Sequence, residues 1–387
     1  MDLYLPVLPA LTKELGAVTS AAQLTITACL IGLALGQLIA GPLSDRYGRR
    51  RILLIGVIAY VLTSLLCAAS GTIELLIAAR FVQGLAGGVG VVIAQAAGRD
   101  IYTGGKLIRF YGRVTVMGGL AAVIGPLLGG QLAQFTDWRG LFVVLAAIGV
   151  LILTITLFVF TETLLPENRT SGGFAALRHD YRVLFSDRRF LGAILNQGFM
   201  YAALFAYLSG ATFVLQGIYG LSPQEYALAF GANSAGFMVF GFLAGRAAAR
   251  WSLHGTLLIG ISLAAIGATG LLLSGIVSTP VTVVLASLFP LTSGVATSSP
   301  PATTLALAEY PQMAGTASSV LGMIRFGFGG LAAPLVGVAG ATSILPLGVV
   351  TTTAVIFSAA ACLLFLPGRR VSTSRTAAAR QDAVQVS

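Results

Sequence analysis

Charge is what this chain has least of. Only 9% of its 387 residues are Asp, Glu, Lys or Arg, 56% are hydrophobic, and the mean hydropathy is +0.91. A soluble globule of this composition would lack the polar residues to cover itself. That excludes a water-soluble enzyme or binding module and leaves a polytopic membrane protein. Cysteine is nearly missing too: Cys29, Cys67 and Cys362 each lie inside an apolar run, which excludes a disulfide framework. The two histidines, His179 and His254, stand in loops with no thiol or acid cluster, so neither a metal nor a cofactor is expected. No secretory leader is expected at the front, where Asp2 stands in place of a basic n-region. The net charge of +10 comes without a continuous basic patch or interleaved aromatics, so nucleic-acid binding is not expected either. A membrane enzyme would need a nucleophile, a metal or paired acids at a membrane face, and the chain has two loop histidines and no acid pair in its spans.

What the chain does have is long apolar runs. A crossing helix takes about 20 apolar residues. The runs predict an all-α polytopic protein with spans near 21–43, 52–70, 75–97, 114–134, 140–160, 191–215, 226–245, 256–276, 280–308, 313–340 and 343–366. Met1 to Leu11 is apolar but crosses only about half a bilayer. It reads as the second half of a truncated first helix, with about 15 to 20 residues expected upstream on the same length argument.

Orientation follows from the stretch Gly41 to Arg51, where five of eleven residues are charged. With this hinge on the cytoplasmic face, nineteen of the 23 basic residues fall on that side, against Lys13 and Arg139 outside and Arg80 and Arg325 within spans. The bias places both termini in the cytoplasm. The charged connection then divides the chain into a six-helix bundle at 1–160, a cytoplasmic loop at 161–190, a second bundle at 191–367 and a basic tail at 368–387. Such halves point to a transporter with its site between them.

Ionisable groups within spans are functional candidates. Arg80 shares one helical face with Gln83, Gly84, Gly87 and Gly88, so polar and small residues meet a neighbouring helix together. Asp2 is the acid for Arg80 to bias. A carboxylate in a low-dielectric cavity is pushed up by desolvation and pulled down by a nearby cation, so it can exchange a proton. A structural ion pair at Arg80 or Arg325, and a plain hydrogen-bonding role for Asp2, remain open readings. In the fifth span Gly125, Pro126, Gly129 and Gly130 make a kinked, small-faced segment. In the second half, amides and hydroxyls with aromatics between them, Asn196, Gln197, Tyr201, Tyr207, Asn233 and Ser234 with Phe199, Phe205 and Phe213, are candidates to line a cavity for a bulky, moderately apolar ligand, and Tyr4 and Gln37 join them from the first half. Arg325 joins that set with its role open.

Three patterns together resemble the major facilitator superfamily in its twelve-span drug:proton antiporter group. They are the hinge (Gly41, Leu43, Asp45, Arg46, Gly48, Arg49, Arg50), the fourth-span Arg80-Gln83-Gly84, and Gly125-Pro126 with Gly129-Gly130. The last pattern carries Ala121 where the family usually has glycine. Asp2-Leu3-Tyr4-Leu5-Pro6, Gly36-Gln37, Arg99-Asp100 and Gly315-Thr316-Ala317-Ser318 more closely resemble the Bcr/CflA-type exporters, which are associated with bicyclomycin and chloramphenicol resistance. The resemblance implies a monomer in the bacterial inner membrane, exporting drug-like molecules for protons by alternating access. It implies proton coupling at Asp2 supported by Arg80, and a cytoplasmic charge network of Asp45, the hinge arginines and Asp100 that favours the outward-facing state. An exporter of a metabolite such as an amino acid or nucleoside, or a nonfunctional remnant, are the readings left beside it.

Overall fold

The computed structural model describes residues 2–102, 110, 117, 121, 124–165, 167, 169, 174–250, 252–307, 310, 314–337 and 343–366. Among them there is helix and no strand. A 3-10 helix, Asp2–Val7, leads into α1 (Leu8–Glu14). Then follow α2 (Thr19–Tyr47), α3 (Arg49–Ala68), α4 (Ile73–Ile101), α5 (124–132) and α6 (Trp138–Phe158). A shorter helix, α7 (Phe174–Ser186), stands in the connection. The second half comprises α8 (Arg188–Thr212, prolonged by a π-helical turn Phe213–Ile218), α9 (Pro223–Arg250), α10 (Leu253–Ile276), α11 (Val281–Leu307), α12 (Ala314–Val336) and α13 (Leu345–Phe365).

Ten of these described helices are long and apolar enough to cross a bilayer. Each matches a span expected from the sequence, with ends moved by a few residues. The expected fifth crossing lies largely outside the described residues, apart from α5. Two local expectations are corrected. The hinge is not an open turn: α2 runs to Tyr47 and α3 begins at Arg49, with Gly48 alone breaking the helix at φ +92°, a conformation that favours glycine. The charged connection is not merely a loop, since α7 packs on α8 and α12.

Helix starts carry the capping chemistry their sequences offer. Thr72 accepts from Leu75 N at 3.3 Å before α4, Asp137 from Gly140 N at 3.0 Å before α6, and Ser252 from Gly255 N at 2.8 Å before α10. Lipid gives helices no hydrophobic reason to associate, so close packing depends on small residues. Between α2 and α4, a Cβ at Gly84 would overlap the Cys29 carbonyl, and one at Gly88 would meet the Leu33 carbonyl; Gly32 and Gly36 answer against Phe81 and Leu85. Gly260, Gly267 and Gly294 do the same between α10 and α11.

Helices α2, α3, α4 and α6 pack together, and α8 to α13 form another group. The main seam between the groups is α2 against α12. There Gly322 abuts Gln37, Gly330 abuts Ile31 and the Thr27 carbonyl, and Gly337 abuts Gln23. A second crossing joins α5 to α9, through Gly130 against Ala227 and Leu127 against Gly231.

Candidate functional site

Arg80 is 1% exposed, halfway into the helical core of the first group. One Nη1 hydrogen reaches the Gln83 Oε1. Gln83 in turn donates from Nε2 to Ser64 Oγ at 2.7 Å, and Ser64 donates to the Tyr60 carbonyl at 2.7 Å, so the chain of bonds ties α4 to α3. The guanidinium carbon lies 4.5 Å from the Tyr4 ring centroid and 5.6 Å from that of Phe142. Thr25 spends its hydroxyl hydrogen on the Ala22 carbonyl at 2.6 Å, so Tyr4 must be the donor in its 3.0 Å bond to Thr25 Oγ1.

This cage does not satisfy the cation. Arg80 Nε and Nη2 have no acceptor among the described residues. A centred charge in a membrane costs at least roughly 2.5–3.5 kcal/mol, and a desolvated cation–π contact returns about 2 kcal/mol. The described surroundings therefore leave part of the cost of burying Arg80 unmet. The Asp2 side chain, expected as that partner, lies outside the described residues. Its backbone opens the 3-10 helix that carries Tyr4 onto Arg80. Tyr4, expected in a cavity, is instead fully buried in this cage.

The hinge forms a second centre around Arg49, whose side chain is buried. Its Nη1 meets Asp45 Oδ1 at 2.5 Å and Ser44 Oγ at 2.7 Å, and its Nε meets Asp100 Oδ2 at 3.0 Å. Thr163 also donates to Asp100, at 3.0 Å. Arg46 lies over Tyr47, 5.3 Å from its centroid, and Arg50 donates to the Leu157 carbonyl at 2.8 Å. Gly41 has only Val92 near it, 4.0 Å from where a Cβ would stand.

Sequence reading missed Glu162. Its carboxylate caps the start of α3, accepting from Arg49 N at 2.8 Å and Arg50 N at 3.3 Å, and from Leu164 N at 3.2 Å. A side chain at Gly48 would run into it. Partial burial pushes the Glu162 carboxyl up, but the three backbone N–H groups and the Arg169 cation outweigh this and hold it below the usual carboxylate range. With Gly48 breaking the backbone directly before α3, the first N–H groups of that helix are left without helical partners, and an anion satisfies them. A comparable tie missed at the other end joins Glu14 to Trp138 Nε1 at 2.7 Å and to Arg139.

Gly129 faces the Leu3 carbonyl and Gly130 faces α9, so the fifth-span motif touches both the first segment and the second half. Gly125 and Pro126 share this helix, with Pro126 buried. In the second half Arg325 donates from Nε to Gln197 Oε1 at 2.6 Å and from Nη2 to Thr303 Oγ1 at 2.7 Å, under the Tyr201 ring at 5.1 Å. Phe205 packs on Phe326 and Tyr201, with ring centroids 5.9 and 6.3 Å apart. Two residues expected to line a cavity make hydrogen bonds within the helices. Asn196 is buried between α8 and α13, donating to Ser358 Oγ at 2.8 Å, and Asn233 donates to its own helix at the Ala229 carbonyl, 3.2 Å away. The Asn196 Oδ1 has no partner among the described residues.

The chain matches the sequence model described as Major Facilitator Superfamily over residues 1–334. It is similar to an uncharacterized MFS-type transporter, YdgK, of Bacillus subtilis, 38% identical over 365 residues that cover 93% of this chain and 90% of that one. It is also similar to a bicyclomycin resistance protein homolog of Haemophilus influenzae, 29% identical over 343 residues, 87% of this chain and 84% of that one. The fold is similar to the crystal structure of a mutant of the nucleoside transporter NupG, with a TM-score of 0.74 at 14% identity over 94% of each chain.

Proposed function

Because the chain belongs to the major facilitator superfamily, and so is a multi-span membrane transporter rather than an enzyme, we propose that it exports drug-like small molecules from the cytoplasm in exchange for protons. The observation that carries this reading is Arg80: a fully buried cation with two donors unmatched among the described residues, in the segment's contact with the helix that begins at Asp2. A proton arriving at Asp2 would remove the negative charge that Arg80 is arranged to hold. Protonation therefore changes how the first segment packs on α4, α6 and, through Pro6 and Gln216 at 2.9 Å, on the second half. That is a coupling free energy between proton and conformation, which is what exchange requires.

Two halves, 1–160 and 191–367, rock about the seam of α2 and α12 in the inner membrane, with both termini cytoplasmic. The hinge acts as a latch. Arg49 is held by Asp45 and Asp100 while Glu162 fixes the start of α3, and releasing these bonds frees the cytoplasmic ends to part. The relative named for bicyclomycin resistance supports drug export as the cargo class.

The reading is tested by reconstituting the protein in vesicles with an imposed pH gradient and following a panel of antibiotics. Flux of at least one compound should follow the gradient and stop when a protonophore collapses it. Flux indifferent to the collapse would overturn exchange with protons.

A further inference from the structure

We propose that Arg325, with Gln37 across the seam, forms a recognition site for a carboxylate or similarly anionic group on an aromatic substrate. This rests on the transport reading above and narrows its substrate class.

Arg325 sits where α8, α11 and α12 meet, partly exposed in mid-helix. Its two bonded nitrogens are fixed by neutral oxygens. Gln197 is itself pinned, donating from Nε2 to the Ser299 carbonyl at 2.8 Å and to Thr303 Oγ1 at 2.9 Å, while Thr303 donates to the Ser299 carbonyl at 2.9 Å. These bonds orient the guanidinium without neutralising it. No described carboxylate pairs with it, and among the described residues Nη1 makes no hydrogen bond. A guanidinium is a planar fork matched to carboxylate geometry, so an oriented fork with a free edge is a preorganised anion site.

A second donor stands one helical turn away, at the α2–α12 seam. Gly322, one turn before Arg325 on the same face, abuts the Gln37 oxygen on α2. Gln37 is 5% exposed, and its Nε2 has no partner among the described residues. Each half thus offers a donor lacking an acceptor at the place where the halves meet. The described acids on the spans do not offset this. Asp45 and Asp100 belong to the hinge, and Glu74 and Glu225 lie in first turns at helix ends. The described side chains around Arg325 bring no acid to it, which favours an anion there and disfavours a fixed cation. Tyr201, Phe205 and Phe326 supply an aromatic wall beside the fork.

The test uses the whole chain purified in detergent and three aromatic probes of one shape: 1-naphthoate, 1-naphthamide and (1-naphthylmethyl)trimethylammonium. Dissociation constants come from the ligand-induced rise in melting temperature. Naphthoate should bind tightest. Arg325→Met should weaken it about tenfold or more, the scale of lost hydrogen bonds to a charged group, and leave naphthamide within about twofold. Arg325→Lys should fall between, since it keeps the charge and loses the fork. Gln37→Leu should weaken naphthoate by a few-fold. Because Arg325→Met also strips Gln197 and Thr303 of a partner, the lysine variant keeps the test meaningful if the methionine variant folds poorly. Wild-type protein that binds none of the probes, or the cation as tightly as naphthoate, would overturn the site; so would equal weakening of all three in Arg325→Met. Binding needs no gradient, so an anion preference without gradient-driven export would uphold the site and remove the exchange reading. Export without the preference would do the reverse.

Discussion

The two halves each hold an arginine within a span, and the surroundings are alike in kind. Arg80 has the Gln83 oxygen, the Ser64 hydroxyl beyond it and the face of Tyr4; Arg325 has the Gln197 oxygen, the Thr303 hydroxyl and the face of Tyr201. They differ in closure. Arg80 is sealed, with Nε and Nη2 unmatched among the described residues, whereas Arg325 is partly exposed with Nε and Nη2 both bonded. A sealed, underbonded cation acts on a charge inside the protein. An open, oriented one acts on a charge that comes and goes. The same side chain thus fits proton coupling in one half and ligand recognition in the other.

The largest expected effect comes from removing the sealed cation. Arg80→Met should reduce gradient-driven flux to background, while Asp2→Asn with Arg80→Met, which leaves no lone charge behind, should hold or raise the melting temperature, because replacing a buried charge pair by uncharged side chains is often neutral or stabilising by about 1–4 kcal/mol. A melting temperature that falls steeply would mean the arginine is a structural anchor, and the contrast with Arg325 would collapse.

Next is the packing that positions the sealed site. Gly84→Val would drive a side chain into the Cys29 backbone, which has no freedom to yield; overpacking of this kind costs about 1–3 kcal/mol. Gly87→Val, at a position with nothing within 4 Å, should be near neutral. Thermal unfolding of both variants in detergent would separate them. Equal behaviour would mean that α2 and α4 are not held at this spacing.

A smaller effect belongs to the latch. Asp45→Ala should slow transport several-fold, since it removes one of the two carboxylates on Arg49, and leave substrate affinity nearly unchanged. An affinity loss matching the rate loss would reduce the hinge to an anchor.

The smallest concerns Glu162. Its carboxyl is held below its ordinary range in the folded protein. The cap therefore contributes stability that is present above the unfolded carboxylate value of about 4.3 and is lost as pH falls through the lower folded value. The wild type should be slightly more stable than Glu162→Gln at neutral pH, with the gap closing in acid. A gap that widens in acid would contradict the cap.

How much of this could be read from the chain depends on the range of the interaction. Span positions were legible because each is a run of apolar residues of bilayer length, and ten described helices follow those runs. Gly84 and Gly88 were legible as a close-packing face because helical spacing puts them on one side. The Glu162 cap was not, because it joins residues 113 positions apart, and nothing local to either end names the other. The amides show the same limit. Asn196 and Gln197 are neighbours in sequence, yet one is buried against Ser358 and the other orients Arg325, since successive residues on a helix face different helices. Helix α7 was obscured by its charge, which resembles a loop until its apolar side is seen against α8 and α12.

In the proposed exchange a proton acts at Asp2 and is felt at Arg80. Its most direct test is gradient-driven efflux by Asp2→Asn in vesicles, measured beside substrate binding without a gradient. Binding should survive while efflux no longer follows the pH difference; efflux by Asp2→Asn that still rises and falls with the gradient would rule out proton coupling at Asp2.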